Sequence, residues 1–326
     1  MNRMGVVCLM LQYSVTGAMA ADIVPPGAKP ELLWNDGEFT EGVAVAKDGV
    51  VYFSDIAIAG KNPGRIMKFN PKTKQTSVHV DDSGQSNGLF FSADGKLLAV
   101  CGANKGHRAL CIMTDRLVIV VADKFEGKKL NAPNDLVVHP RFGVYFSDPR
   151  YVGPEPLELD HMSVYRYHLG KLERATTDIT KPNGVILSPD AKTLYVAETD
   201  NGATGVEPVG TLPKPARYTL NAFPIKDDGS LGPKRVLADF GKDGGIDGMT
   251  TDTDGRIYAA FRPDARKGIL IVSPDGQELG HIPTDALPTN CTFGKGDEKN
   301  VLYITAGSGL YRMRLNATGY HPELAP

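Results

Sequence analysis

Hydrophobic and polar residues alternate along this chain in short runs, and the runs recur. In "TEGVAVAKDGVVYFSDI" (residues 40–56), Val43 and Val45 alternate with smaller or polar residues before Lys-Asp-Gly, and Val51 and Phe53 do so after it. "SNGLFFSADGKLLAVCG" (86–102) repeats the pattern with Leu89, Phe91, Leu97 and Ala99. "PNDLVVHPRFGVYFSDP" (133–149) repeats it again, and so do "KPNGVILSPDAKTLYVAET" (181–199), "IDGMTTDTDGRIYAAF" (246–261) and "PTNCTFGKGDEKNVLYITA" (288–306). A period of two is strand chemistry, and Asp-Gly between two such runs is hairpin chemistry, because glycine accepts positive φ without a steric cost. Each phrase is followed by a third run ("GRIMKFN", "ALCIMTD", "SVYRYHL", "YTLNAFPI", "GILIVSP", "GLYRMRL"). The first five add a fourth run ("QTSVHV", "VIVVAD", "LERATTD", "KRVLADF", "ELGHIP"). No segment of useful length shows the three- and four-residue spacing of a helix.

The phrases open at Glu41, Asn87, Asn134, Asn183, Asp247 and Thr289, at intervals of 46, 47, 49, 64 and 42 residues. That period, with several short strands per unit, predicts an all-β fold: a six-bladed β-propeller with four antiparallel strands per blade. The sixth unit lacks its own fourth strand. "PELLWN" (Pro30–Asn35) can supply it, pairing the two ends of the chain and closing the ring. The long interval contains a Gly/Pro-rich insertion, Asn201–Arg217, which either overhangs a channel mouth or is a tolerated surface loop. With no linker or composition break, one propeller domain is expected over about residues 30–320, after a leader at 21–29 and before a short tail at 321–326.

Composition narrows the partners. The 326 residues carry 36 Lys+Arg against 38 Asp+Glu, a formal charge of −2. Such a chain has no basic field for nucleic acid or an anionic membrane. Arg3, the apolar run Gly5–Gly17 and "AMA" (Ala18–Ala20) read as a signal peptide over residues 1–20, so an exported chain, periplasmic or secreted, is expected, with no membrane attachment after cleavage. Cys8 would leave with it. Of the remaining three cysteines, Cys101 and Cys111 bracket a short loop and are either a cross-strand disulfide or buried thiols.

The chemistry lies in the opening residues. The innermost strand of each blade runs along the central channel, so its first residue stands at one mouth. Glu41, Asn134, Asn183 and Asp247 therefore converge, two carboxylates and two amides. Two carboxylates held together raise each other's pKa unless a cation joins them. An all-oxygen set favours a hard divalent ion, Ca²⁺ ahead of Mg²⁺ or Mn²⁺. Asn87 faces the same mouth and is read as lying behind the ligands or against a substrate. For any one phrase, Asn or Asp before Gly is also ordinary turn chemistry, but that does not account for the Glu of "TEGV".

Taken in order, "EGVAVAKDGVVYFSD", "LNAPNDLVVHPRFGVYFSDPRY", "KPNGVILSPDAKTLYVAET", "DGMTTDTDGRIYAA" and "TNCTFGKGDEKNVLYITA" resemble the gluconolactonase / senescence marker protein 30 / luciferin-regenerating-enzyme family over about residues 31–315. The resemblance implies a six-bladed propeller that holds one divalent metal in its channel, often Ca²⁺, with Zn²⁺, Mg²⁺ or Mn²⁺ as alternatives, and that hydrolyses sugar lactones. It makes Glu41, Asn183 and Asp247 metal ligands, Asn134 a ligand or substrate contact, and Asp247 the candidate general base. Arg150 and Tyr151, which follow the strand after Asn134, are expected to line the pocket and contact substrate with Asn87 and Asn134. The mechanism expected is water attack on a metal-polarised lactone carbonyl. The expected partner is a small-molecule lactone, and the chain a monomer or dimer. The alternatives are a phosphotriesterase-like calcium propeller, a non-catalytic propeller that binds a protein or glycan, and a strictosidine-synthase-like propeller. No G-x-S-x-G, P-loop or dinucleotide fingerprint is present.

Overall fold

The computed structural model describes residues 23–58, 63–115, 117–202, 215–242 and 244–324. The expected signal peptide and the centre of the Asn201–Arg217 insertion lie outside them.

Six four-stranded sheets follow one another along the chain. Blade one is built from Thr40–Val45, Val51–Asp55, Arg65–Asn70 and Gln75–Val80, each strand antiparallel to the next. The inner strands of blades two to six are Ser86–Phe91, Leu136–His139, Pro182–Leu187, Ile246–Thr251 and Pro288–Phe293. Blade six takes its outer strand from the other end of the chain: Glu31–Trp34 pairs antiparallel with Gly309–Arg314. The ring is thereby closed by the segment that the sequence singled out, and Trp34 packs on Phe53 of blade one. Apolar side chains of neighbouring blades interdigitate between sheets. One such cluster gathers Val185, Leu187 and Val196 of blade four with Met249, Ile257 and Ala259 of blade five.

The inner strands meet near the axis at backbone contact. A Cβ on Gly184 would lie 2.2 Å from the Asp247 carbonyl oxygen, and one on Gly42 would lie 1.9 Å from that of Asn87. On Gly248 it would strike the Asn290 side chain at 2.1 Å. Glycine is required after the opener for this reason, beyond any turn preference. Blades three and six carry Asp135 and Asn290 at that place, and these two side chains fill the space that the glycines leave. Asp135 also accepts the Leu136 and Val185 amides at 2.9 and 3.1 Å.

Below them a void of about 30 Å³ is bounded by Asp135, Asn290 and Cys291 and by Tyr320–Pro322 of the C-terminal segment. That segment is tied down by a buried ion pair, Lys295 Nζ to Glu323 Oε1 at 2.5 Å. Cys101 and Cys111 are buried free thiols with Sγ atoms 3.7 Å apart, the second of the two states expected for them.

Gly184→Ala is expected to destabilise the fold by about 3 kcal/mol, since a backbone oxygen cannot yield to the new methyl. For a domain of this size that is a fall in Tm of about 5 °C. Gly232→Ala, whose methyl would make only contacts of 3.4 Å or longer, is expected to stay within about 0.5 kcal/mol. Parallel thermal melts check both.

Candidate functional site at the channel mouth

At the other end of the channel a cavity of about 770 Å³ opens to solvent. Glu41, Asn87, Asn134, Asn183 and Asp247 all line it, as does Tyr151. In four of these blades the inner strand is irregular just at the opener: the register shifts between Glu41 and Ala44, Ser86 and Leu89, Pro182 and Val185, and Ile246 and Met249. An extra residue at such a point bends the strand and re-aims the side chain. Here it turns the opener from the sheet face into the mouth.

Glu41, Asn183 and Asp247 are almost fully buried. Burial pushes the Glu41 carboxyl well above the usual range, and the neighbouring Asp247 charge pushes it further. Asp247 is raised by burial too, opposed by the guanidinium of Arg262. Arg262 pairs directly with Asp247 through Nη1 and Oδ2 and lies over the Phe39 ring at 6.0 Å. It is the cation in place between two carboxylates that would otherwise repel.

Asn183 is held in one orientation. Its Nδ2 donates to Tyr151 Oη at 3.3 Å, and Tyr151 Oη donates to the Thr199 carbonyl at 3.0 Å. The amide oxygen, Oδ1, is thereby fixed, buried and without a hydrogen-bond partner. A buried acceptor left bare costs on the order of 1–3 kcal/mol. It lines the same cavity as Glu41 and Asp247, an acceptor left uncompensated.

Sequence reasoning assigned Arg150 to the pocket, and the structure places it elsewhere. Its side chain is 1% exposed, and it does not line the cavity. Nε and Nη2 donate to the Asn131 carbonyl at 3.2 and 2.8 Å, and Nη1 donates to that of Glu155 at 2.7 Å. Both residues lie in the loop past the strand that ends at Asp148, and of the two only Tyr151 lines the cavity. Arg150 anchors the loop that carries Val152, Gly153 and Pro154 along the cavity wall.

Arg262 was not anticipated, yet its position is legible in the register. Ile246, just before the opener Asp247, pairs with Phe261, and Arg262 is the next residue. The same step in blades one, two and four, from pairs Thr40–Asp55, Ser86–Cys101 and Pro182–Glu198, reaches Ile56, Gly102 and Thr199. All four line the cavity. In four of the six blades a second set of residues thus follows the openers, drawn from the end of the blade's second strand.

This architecture is shared with known proteins. The family model for the SMP-30/gluconolactonase/LRE-like region matches residues 99–308, and a strictosidine synthase model matches residues 41–110. A gluconolactonase of Zymomonas mobilis is 30% identical over 317 residues, covering 89% of this chain and 82% of that one. The solved structure of a gluconolactonase from Xanthomonas campestris superposes with a TM-score of 0.75 at 28% identity, covering 91% and 93% of the two chains. Regucalcin of Agrobacterium tumefaciens, a calcium-binding protein, shares the fold at a TM-score of 0.69 and 18% identity, over 90% of this chain and 97% of its own. Given the match over most of its length, the chain belongs to the SMP-30/gluconolactonase/LRE-like family.

Proposed function

We propose that the channel mouth is the active site of a divalent-metal-dependent lactonase. The observation that carries this reading is a partnerless, buried Asn183 Oδ1 in the cavity that also holds two buried, mutually repelling carboxylates. These donors fit a hard cation: all are oxygen, two are anionic, and one is a bare amide oxygen already aimed. Glu41, Asn183 and Asp247 would hold the ion, with Asn134 at hand on the same wall. Among the described residues no group of three or more His, Cys, Asp or Glu offers an alternative site.

A bound divalent ion supplies Lewis acidity toward an ester carbonyl and keeps both carboxylates ionised. The side chains do the rest. Asp247 takes a proton from the water that attacks the lactone carbonyl carbon. Held ionised by the metal, this carboxylate is a modest base, which suffices for a reactive cyclic ester. The acyl–oxygen bond then breaks, and the proton passes to the ring oxygen as it leaves, giving a hydroxy acid. Asn87 and Asn134 present amide donors and acceptors to the substrate from the wall. Arg262 can turn between Asp247 and the developing negative charge, since its guanidinium is at the cavity surface.

Asp247→Asn is expected to lower kcat on glucono-1,5-lactone by about 10²–10⁴-fold, as loss of a general base does. Proton release at fixed pH measures it, and unchanged turnover would sink the mechanism.

The pKa directions give a second test. Glu41 and Asp247 are raised in the metal-free fold. Their protonated forms therefore suit the fold at low pH, and stability is lost as pH rises through the raised values. A divalent ion needs the ionised forms, so its binding displaces protons. Ca²⁺ affinity is expected to rise from pH 5 to pH 8, with up to about two protons released per ion. Calorimetry in buffers of different ionisation enthalpy reads both quantities, and a pH-independent affinity with no proton release would exclude these two ligands.

Arg262→Ala supplies a third. Without the guanidinium, two buried carboxylates face each other unopposed, and the chelator-treated variant is expected to melt about 3–6 °C lower than the parent. Saturating Ca²⁺ should recover more of the melting temperature in the variant than in the parent, because it replaces the missing charge. Equal recovery in both would show that Arg262 and the cation do not share the carboxylates.

A further inference from the structure

The floor and the rim of the cavity differ in kind. At the floor stand Glu41, Asn183 and Asp247, polar and nearly fully buried. At the rim stand Phe39, Ile56, Ile58, Val152, Pro154 and Tyr218. Ile58 and Val152 are 60% and 61% exposed, from blade one and from the loop after blade three's second strand. Large aliphatic side chains left in water beside a polar cleft are a recurrent mark of a ligand-contacting surface. They gain about 0.8 kcal/mol for each methylene that a ligand buries against them.

Size points the same way. A monosaccharide lactone has about a dozen non-hydrogen atoms, whereas cavities of several hundred Å³ ordinarily enclose drug-sized ligands. A polyhydroxylated ring seated on the floor would leave the outer part of the 770 Å³ empty. It would also set hydroxyls against Phe39 and Ile56, which offer them no hydrogen-bond partner.

We propose that the preferred substrates are lactones carrying an apolar substituent, with the ester at the floor and the substituent running out between Ile58 and Val152. This inference rests on the lactonase reading and specifies its substrate class. The reaction balances as before: water adds across the acyl–oxygen bond, and the substituent is a spectator that contributes binding alone. Because the substituent contacts the wall equally before and during reaction, its contribution appears in kcat/KM.

The test compares the Ca²⁺-loaded protein on glucono-1,5-lactone and on δ-lactones bearing unbranched alkyl chains of one to about seven carbons. The expected result is a kcat/KM that climbs about two- to fourfold per methylene until the chain clears the mouth. A double variant, Ile58→Ser with Val152→Ser, is expected to flatten that climb. Both positions are solvent-facing, so the substitutions leave the core intact, and the slope against chain length is a readout that a purely structural role would not move. A flat or falling series with glucono-1,5-lactone turned over would overturn the substrate class and leave the lactonase reading standing. An undiminished slope in the double variant would overturn the role of the rim. Turnover of neither lactone class would overturn the lactonase reading and this inference with it.

Discussion

Everything at this mouth depends on backbone meeting backbone at the propeller axis. Gly184 faces the Asp247 carbonyl and Gly42 faces that of Asn87 with no room for one additional carbon. Packing that tight fixes the inner strands relative to one another to within tenths of an ångström. The residue before each glycine inherits that precision. Glu41 and Asp247, whose charges oppose, are therefore held together by the ring and cannot relax apart. The fold bears an electrostatic cost there, softened by Arg262.

The repeat was legible because it is written twice over, once in strand alternation and once in the Asp-Gly turns. Even the closing strand could be read, since the sixth unit was one strand short and Glu31–Trp34 had nothing else to pair with. The openers were legible for a different reason: Glu before Gly is a poor turn choice, so Glu41 could not be dismissed as local chemistry. What alternation alone could not give was side. Arg150 and Tyr151 looked equivalent as neighbours in "SDPRY", but both lie past the strand that ends at Asp148, and only the tertiary contacts show Tyr151 at the cavity and Arg150 bound to the Asn131 and Glu155 carbonyls.

Arg262 illustrates the opposite failure. It follows "YAAF" with nothing beside it in the sequence to suggest a partner, because the partner, Asp247, lies across a hairpin. Its place becomes visible once the hairpin register is counted from the opener, and the count then collects Ile56, Gly102 and Thr199 as well. The openers supply similar chemistry from several blades, whereas this second set differs at each member. It is where relatives with the same floor can differ in what they accept.

The strand that closes the ring has a consequence for the folding chain. Blade six stays incomplete until Gly309–Arg314 finds Glu31–Trp34, which lies five blades earlier in the chain. Until then blade one has no neighbour on one side, and Glu41 stands at an open edge instead of a mouth. Contacts that span nearly the whole chain form slowly. The mouth is therefore completed only when the two ends of the propeller have paired, and whatever the openers hold together is assembled last.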